Sequence, residues 1–385
     1  MPPVISPYKP RTRESRGAVP PLSLSRDAVR TRSEQTRIES RDAGDYRDTL
    51  EYRAAFGAYL RRGLDGLTGF QRTALLEDVE HRDQSTAGSA GGFAVPAAYM
   101  DDLVLSMRYA SAVFATSRHW DSRTPEGKPT GAAASFPAST DVANAAAQGA
   151  ENTAPTQADP VFTQVAFGST LGYQVSQRAS IQLDVDASPA LEVSLSRIIG
   201  ERIGRGFDRD SVSTSTGASG VPQGLLSASG FATFQLPSGN TSSVSFASLV
   251  DAVFSSVDMA YMRAPGACII VAPATLAAFY KLTGTDNLSI VQTAWADESG
   301  ARVPTLLGIP VFVSRQMLAL GANNVFAFVG NLQYGYVTRI VGSPEVIRLE
   351  ERFADSLQVG FIGLYRLDGR IADKSAGVLL QNSAT

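Results

Sequence analysis

The chain has 385 residues, 44% of them hydrophobic, which is enough apolar material for one large core or two smaller ones. Its 34 Lys and Arg against 37 Asp and Glu exclude a global polyanion-binding charge. One cysteine, Cys268, excludes an intramolecular disulfide framework, and two histidines, His81 and His119, exclude a His-rich metal centre.

Residues 1–44 mix Ser, Thr, Pro and Arg with isolated apolar residues, and across 1–50 Lys9 and nine arginines face seven carboxylates. Such a segment cannot by itself bury enough apolar surface to offset the entropy of ordering, so a mildly basic arm is expected. Its partner is expected to be a neighbouring protein surface before nucleic acid. DYRDTLEYRAAFGAYLRR (45–62) spaces Tyr46, Leu50, Phe56, Tyr59 and Leu60 as a helix would, and a second short helix is expected over 69–81. STAGSAGGFAVPAAY (85–99) places Gly88, Gly91 and Gly92 ahead of an apolar run. No Lys follows at phosphate-loop spacing, so these glycines predict a joint.

AAYMDDLVLSMRY (97–109) reads as an amphipathic helix and VFATSRHW (113–120) as extended chain. Residues 121–160 are dominated by Ala, Gly, Ser, Thr, Asn and Pro, and the strands VFTQVAF (161–167) and TLGYQVS (170–176) follow. Together 121–176 predicts a long two-stranded projection, which needs outside support because a lone hairpin is marginal in water. SPALEVSLSRIIGERIGRGFDRDSV (188–212) carries a capping Ser188, Pro189 in its first turn, and a stripe of Leu191, Leu195, Ile198, Ile203 and Phe207. This predicts a beam-like helix of about 35 Å. GASGVPQGLL (217–226) reads as a turn-rich exit. Beyond it helices over 245–262 and 273–282 alternate with strands over 267–272, 310–314 and 325–330. Extended segments over 345–353, 357–373 and 377–381 close the chain.

Catalytic and binding chemistry is sparse. Ser89 lies one residue short of a nucleophile-elbow pattern, and His119, beside Trp120, reads as packing at the base of the projection. Asp184 and Asp186 have the opening spacing of a calcium loop without its glycine or terminal glutamate, and read as helix caps. Asp101 and Asp102 suit the start of a helix. Cys268, inside ACIIVA, reads as a small core residue. No run of about eighteen apolar residues and no signal-peptide stretch occur, so a soluble protein made inside a cell is expected. No catalytic residue, cofactor site or metal site is expected, and the chain reads as a building block.

The order of parts, with EYRAAFGAYLRRGL (51–64), GGFAVPAAY (91–99), VAFGSTLGYQVSQRASIQLD (165–184), the beam and its exit GVPQGLL, LLGIPVFVSRQML (306–318) and VGNLQYGYVTR (329–339), resembles the major capsid proteins of tailed bacteriophages, the HK97-fold family. The resemblance implies an α+β, HK97-like capsid fold. Its parts would be an N-terminal arm over 1–92 (1–44 irregular, 45–82 helical), a peripheral domain over 93–120, an extended β-hairpin loop over 121–176, and the peripheral domain resumed over 177–220 with its long spine helix. An axial α/β domain over 221–343 and a last peripheral part over 344–385 would follow.

It further implies assembly as hexamers and pentamers into an icosahedral shell around packaged double-stranded DNA, contacted non-specifically on the inner face. Portal and possible scaffold or decoration proteins are the other implied partners, with no membrane, and assembly in the host cytoplasm. Some relatives weld subunits through a loop lysine and a late asparagine, promoted by a buried glutamate; here the loop has only Lys128, and ERFADSLQVGFIGLY supplies neither a clear acceptor nor an internal carboxylate. No covalent crosslinking is therefore expected, and the short irregular N-terminus is expected to persist uncleaved. The competing readings are an encapsulin-type compartment, and a hydrolase in which His119 meets Ser89 or Asp184.

Overall fold

Two sheets, a long helix and a detached ribbon organise the chain in a computed structural model. It describes residues 49–81, 92–94, 97–124, 128–140, 148, 161–180, 190–282, 291–294, 303–349 and 351–384, all within the unit Arg47–Thr385.

Helix α1 (Leu50–Arg62) starts where the Thr49 side chain accepts the Tyr52 N–H, and Tyr52, Phe56 and Tyr59 bury one face. Helix α2 (Gly69–His81) follows. Strand β1 (Gly92–Ala94) leads into α3 (Ala97–Ala110) and then α4 (Ala112–Thr116). The expected extended run over 113–120 is thus half helix, because Ser111 caps the Phe114 N–H and Val113 and Phe114 are buried. Only β2 (Arg118–Asp121) is strand.

Among the described residues, strands β3 (Ala134–Thr140) and β4 (Val161–Phe167) pair with each other alone, forming the ribbon. Strand β5 (Gly172–Ser180) does not pair back onto β4 across Gly168-Ser169, as the expected projection over 121–176 requires. It joins the first sheet instead. The 22-residue helix α5 (Ala190–Ser211) realises the beam; Ser188 and Pro189, its expected start, lie outside the described residues.

The first sheet runs β1-β12-β13-β5, with β12 (Tyr336–Leu349) and β13 (Gln358–Ile371) at its centre and β2 pairing beside β1 on β12. One strand serves two neighbours because it is bulged: between Val341 and Glu345 the register with β13 shifts, Gly342 takes φ 67°, and Pro344 has no N–H to offer. Before the bulge β12 pairs in parallel with β2, and after it antiparallel with β1. The expected strand over 345–353 therefore begins earlier and ends sooner, with 351–356 in a 3-10 turn. Helices α3 and α5 pack closely, since a Cβ on Gly200 would lie 2.5 Å from the Leu103 carbonyl oxygen.

The second sheet runs β6-β14-β11-β7-β10-β9-β8: β6 (Ala232–Gln235), β7 (Ala267–Val271), β8 (Val291–Ala294), β9 (Val303–Leu306), β10 (Ile309–Val313), β11 (Val325–Asn331) and β14 (Gly377–Gln381). Its core gathers Ile269, Val271, Val311, Phe326, Val329 and Leu380. The expected single helix over 245–262 is two, Phe246–Ser256 and Met259–Arg263, because the Asp258 carboxylate takes the Ala260 N–H and restarts the chain. The helix Pro273–Tyr280 crosses between β7 and its parallel neighbour β10. The closing strand β14 pairs with β11 and β6, so it belongs to this sheet.

Candidate functional site

The ribbon leaves the body at one place, and a buried cation sits there. Arg339 on β12 is fully buried, with Asp368 directly across on β13. Its guanidinium donates to the Gly168 carbonyl at 3.1 Å, Ser122 Oγ at 2.9 Å, and the carbonyls of Thr130 and Ala132 at 3.0 and 2.6 Å. The first of these acceptors follows β4 and the others precede β3. One side chain therefore grips both roots. Trp120 and Phe167 pack beneath it in a tilted arrangement, with ring centroids 5.4 Å apart, and Arg339 lies over both at 5.7 and 5.8 Å. Such a planar fork with fixed donors suits the task better than an ammonium.

Arg370, on the same face of β13, pairs with Asp368 at 2.6 Å. It also donates to the carbonyls of Val221 and Gly217 at 2.9 and 2.6 Å, which ties in the exit from α5. Ribbon roots, long helix and central strands thus meet in one polar knot inside an otherwise apolar layer. Burial pulls the Arg339 guanidinium below its usual range. It pushes the Asp368 carboxyl up to about 6, against the opposing pull of Arg370 and the Gly369 N–H.

A carboxyl with a raised native pKa binds a proton that the unfolded chain has already released, so its contribution to stability is full below about pH 4 and declines as pH rises to about 6. Asp368→Asn removes that titration. The stability of Asp368→Asn relative to the unsubstituted chain is expected to rise between pH 4 and 6 and to level off above, as read by denaturant unfolding at each pH. A difference that stays flat across this window sinks the assignment.

The other residues marked in the sequence lie elsewhere. His119 Nε2 is 2.8 Å from the Phe114 carbonyl oxygen and its ring is 4.5 Å from that of Phe114. A carbonyl only accepts, so Nε2 carries the proton, and burial lowers the ring's pKa. Its partners Ser89 and Asp184 in the hydrolase reading lie outside the described residues, as do Gly88, Gly91 and Asp186. Gly92 opens β1 against Ile347. His81 ends α2, and Asp101 and Asp102 are exposed on α3. Burial pushes the Cys268 thiol up to about 12, the setting of an inert core residue. Lys128 lies at the ribbon's root, its N–H on Thr124 Oγ1. Among the described residues no three His, Cys, Asp or Glu cluster as a metal site, and no helix is long and apolar enough to cross a membrane.

Part of the expected arm also belongs to the body. The Tyr59 hydroxyl of α1 accepts the Arg348 N–H of β12 at 3.0 Å, and Phe56 meets Tyr99 of α3 at 6.2 Å. The sequence profile of the Phage capsid family matches residues 91–382, more than half of the chain. This chain belongs to the phage capsid family. The fold of this capsid protein is similar to one solved as "Capsid of empty GTA particle computed with C5 symmetry", with 19% identity and a TM-score of 0.54 over 71% of this chain and 90% of that one. A second structure, "Capsid of native GTA particle computed with C5 symmetry", aligns with 20% identity and a TM-score of 0.52 over 73% of this chain and 91% of that one. No curated protein matches the capsid chain.

The knot was not legible in the sequence. Arg339 stands in VTRI, a strand-like context that gives no sign of a buried cation, and its acceptors, three backbone carbonyls and the Ser122 hydroxyl, lie more than 170 positions away.

Proposed function

We propose that this chain is the major capsid protein of a tailed phage or a related particle. It assembles with itself, as hexamers and pentamers, into an icosahedral shell around double-stranded DNA. The observation that carries this reading, beside family membership, is the ribbon: among the described residues β3 and β4 pair only with each other, yet are fixed at their roots by a fully buried arginine. A two-stranded element is marginal alone. Burying it between subunits supplies the missing stabilisation and makes assembly part of folding.

In this reading the first sheet with α3 and α5 forms the peripheral part of the subunit and the second sheet the axial part. Portal, scaffold or decoration proteins and packaged DNA are its further partners. Residues 1–44 reach another subunit, and assembly takes place in the host cytoplasm. The subunit's role is structural, with no reaction to catalyse.

Electron microscopy of the purified full chain tests the proposal. Closed icosahedral particles are expected. A protein that remains monomeric at every concentration and salt, or that forms only open fibres, overturns it.

A further inference from the structure

The polar knot leaves two atoms unused, and they belong to residues that face each other. Arg339 Nε and Asp368 Oδ2 are both buried and, among the described residues, neither has a hydrogen-bond partner. Yet Arg339 and Asp368 stand directly across from one another on β12 and β13. An unpaired donor and an unpaired acceptor shut away from water each cost free energy, and each offers what the other lacks.

Their remaining atoms are already engaged. The terminal nitrogens of Arg339 hold the ribbon, at Gly168 on its exit side and at Ser122, Thr130 and Ala132 on its entry side. Asp368 Oδ1 takes Arg370 at 2.6 Å and the Gly369 N–H at 2.7 Å. The charged or titratable groups about this carboxyl are Arg339 and Tyr336 on β12 and Arg370 on β13, and Tyr336 spends its hydroxyl on the Gln223 carbonyl. Arg366, two positions before Asp368, donates to the Thr170 carbonyl at 3.3 Å. The carboxylates of the neighbouring elements, Asp121 on β2 and Asp210 on α5, pair with Arg123 and Arg209.

Arg339 therefore has two competing sets of acceptors. A neutral carboxyl makes little demand on Nε, whereas an ionised one with an unpaired oxygen attracts it through a charge-assisted hydrogen bond. The guanidinium is a rigid plane, so turning Nε toward Oδ2 swings the terminal nitrogens away from the ribbon's carbonyls.

We propose that Asp368 is a proton-operated switch for the ribbon: protonated, it leaves Arg339 on the ribbon roots, and ionised, it draws Arg339 Nε onto Oδ2 and frees the roots to pivot. The released proton passes to water that enters as the root opens. The device lies within one chain, so it goes beyond the shell-forming reading and stands without it.

Burial sets the direction. A carboxyl pushed up to about 6 in the closed root returns to its ordinary value near 3.8 once hydrated, so opening releases a proton and is favoured as pH rises. His119, on β2 beside Trp120, works with the opposite sign: burial lowers its pKa, so exposing it takes up a proton and is favoured as pH falls. Asp208 shares the sign of Asp368 but bonds Ser111 and Ser314 instead of the ribbon roots.

Hydrogen exchange on the unassembled full chain, corrected for the chemical exchange rate at each pH, tests the switch. The opening constant of amides in 128–132 and 163–172 is expected to rise at least about tenfold between about pH 4.5 and 7 and to level off above about pH 6, while β7 stays flat. Asp368→Asn keeps an acceptor for Arg370 and carries no charge, so it is expected to show the low-pH protection at every pH. A flat profile in the unsubstituted chain, a fall in place of the rise, or the same rise in the Asn variant overturns the proposal. Structures of the unsubstituted chain at about pH 5 and 8 provide a check that needs no variant: Arg339 Nε is expected within about 3.2 Å of Asp368 Oδ2 at the higher pH only. Terminal nitrogens that still hold Gly168, Thr130 and Ala132 at the higher pH equally overturn it.

Discussion

Arg339→Met is expected to cost about 3–5 kcal/mol of folding stability, the scale for removing one partner of a buried charged network. Methionine fills much of the space but donates nothing. The carbonyls of Gly168, Thr130 and Ala132 and the Ser122 hydroxyl then lose their donor inside the protein, and Asp368 loses one of its two neighbouring cations. With total stabilities of about 5–15 kcal/mol, such a loss is a large share. Denaturant unfolding of the unassembled chain reads it as a lowered midpoint.

Hydrogen exchange separates a local effect from a global one. Protection of β3 and β4 is expected to fall first, while β7, at the centre of the second sheet, keeps its protection until the whole chain opens. Arg339→Lys retains charge but cannot reach four acceptors as a fork, so its loss falls between those of the unsubstituted chain and the methionine variant. A Met variant within about 1 kcal/mol of the unsubstituted chain, with unchanged exchange in the ribbon, contradicts the role assigned to Arg339.

The second large effect is expected at Asp208. This buried carboxylate on α5 accepts from Ser111 Oγ at 3.1 Å, from Ser314 Oγ at 2.6 Å and from the Ala112 N–H. Ser111 caps α4, and Ser314 follows β10, so a single side chain joins the helical layer of the first sheet to the second sheet. No cation enters this cluster among the described residues, and burial raises the carboxyl's pKa.

Asp208→Ala leaves three donors without an acceptor and is expected to cost about 2–4 kcal/mol. Asp208→Asn keeps an acceptor and carries no charge to desolvate. It is expected to stay within about 1 kcal/mol of the unsubstituted chain at neutral pH. The raised pKa fixes the sign of the pH dependence: Asp208 contributes most below its ordinary value near 3.8 and less as pH rises, so Asn gains relative to Asp with increasing pH. Equal stability of the Ala and Asn variants at pH 7 defeats this account.

Much of the element order was readable because it depends on near neighbours. The stripe Leu195, Ile203, Phe207 repeats at helical spacing, and ACIIV and VFAFVG are continuous apolar runs of the kind buried on both faces of a sheet. The failures share a cause. Ser111 and Asp258 each bond the backbone two or three residues on, which changed extended chain into helix at α4 and one helix into two after β6. In β12 the Gly342-Ser343-Pro344 bulge let one strand take two partners, and strand pairing is a long-range choice that local pattern does not encode.

By itself the sequence determined the long helix, a polar projection and the lack of a recognisable catalytic motif, since composition and periodicity carry these, and its resemblance to the HK97-fold capsid proteins implied the fold class. Only the tertiary structure decided that β5 leaves the ribbon for the first sheet, that β14 closes the second, and that Arg339, Asp368, Arg370 and Asp208 are buried at the junctions. The physical reason is desolvation: a charged residue is ordinary in a sequence, and it becomes a structural device only when folding removes its water and supplies particular acceptors or donors from distant segments.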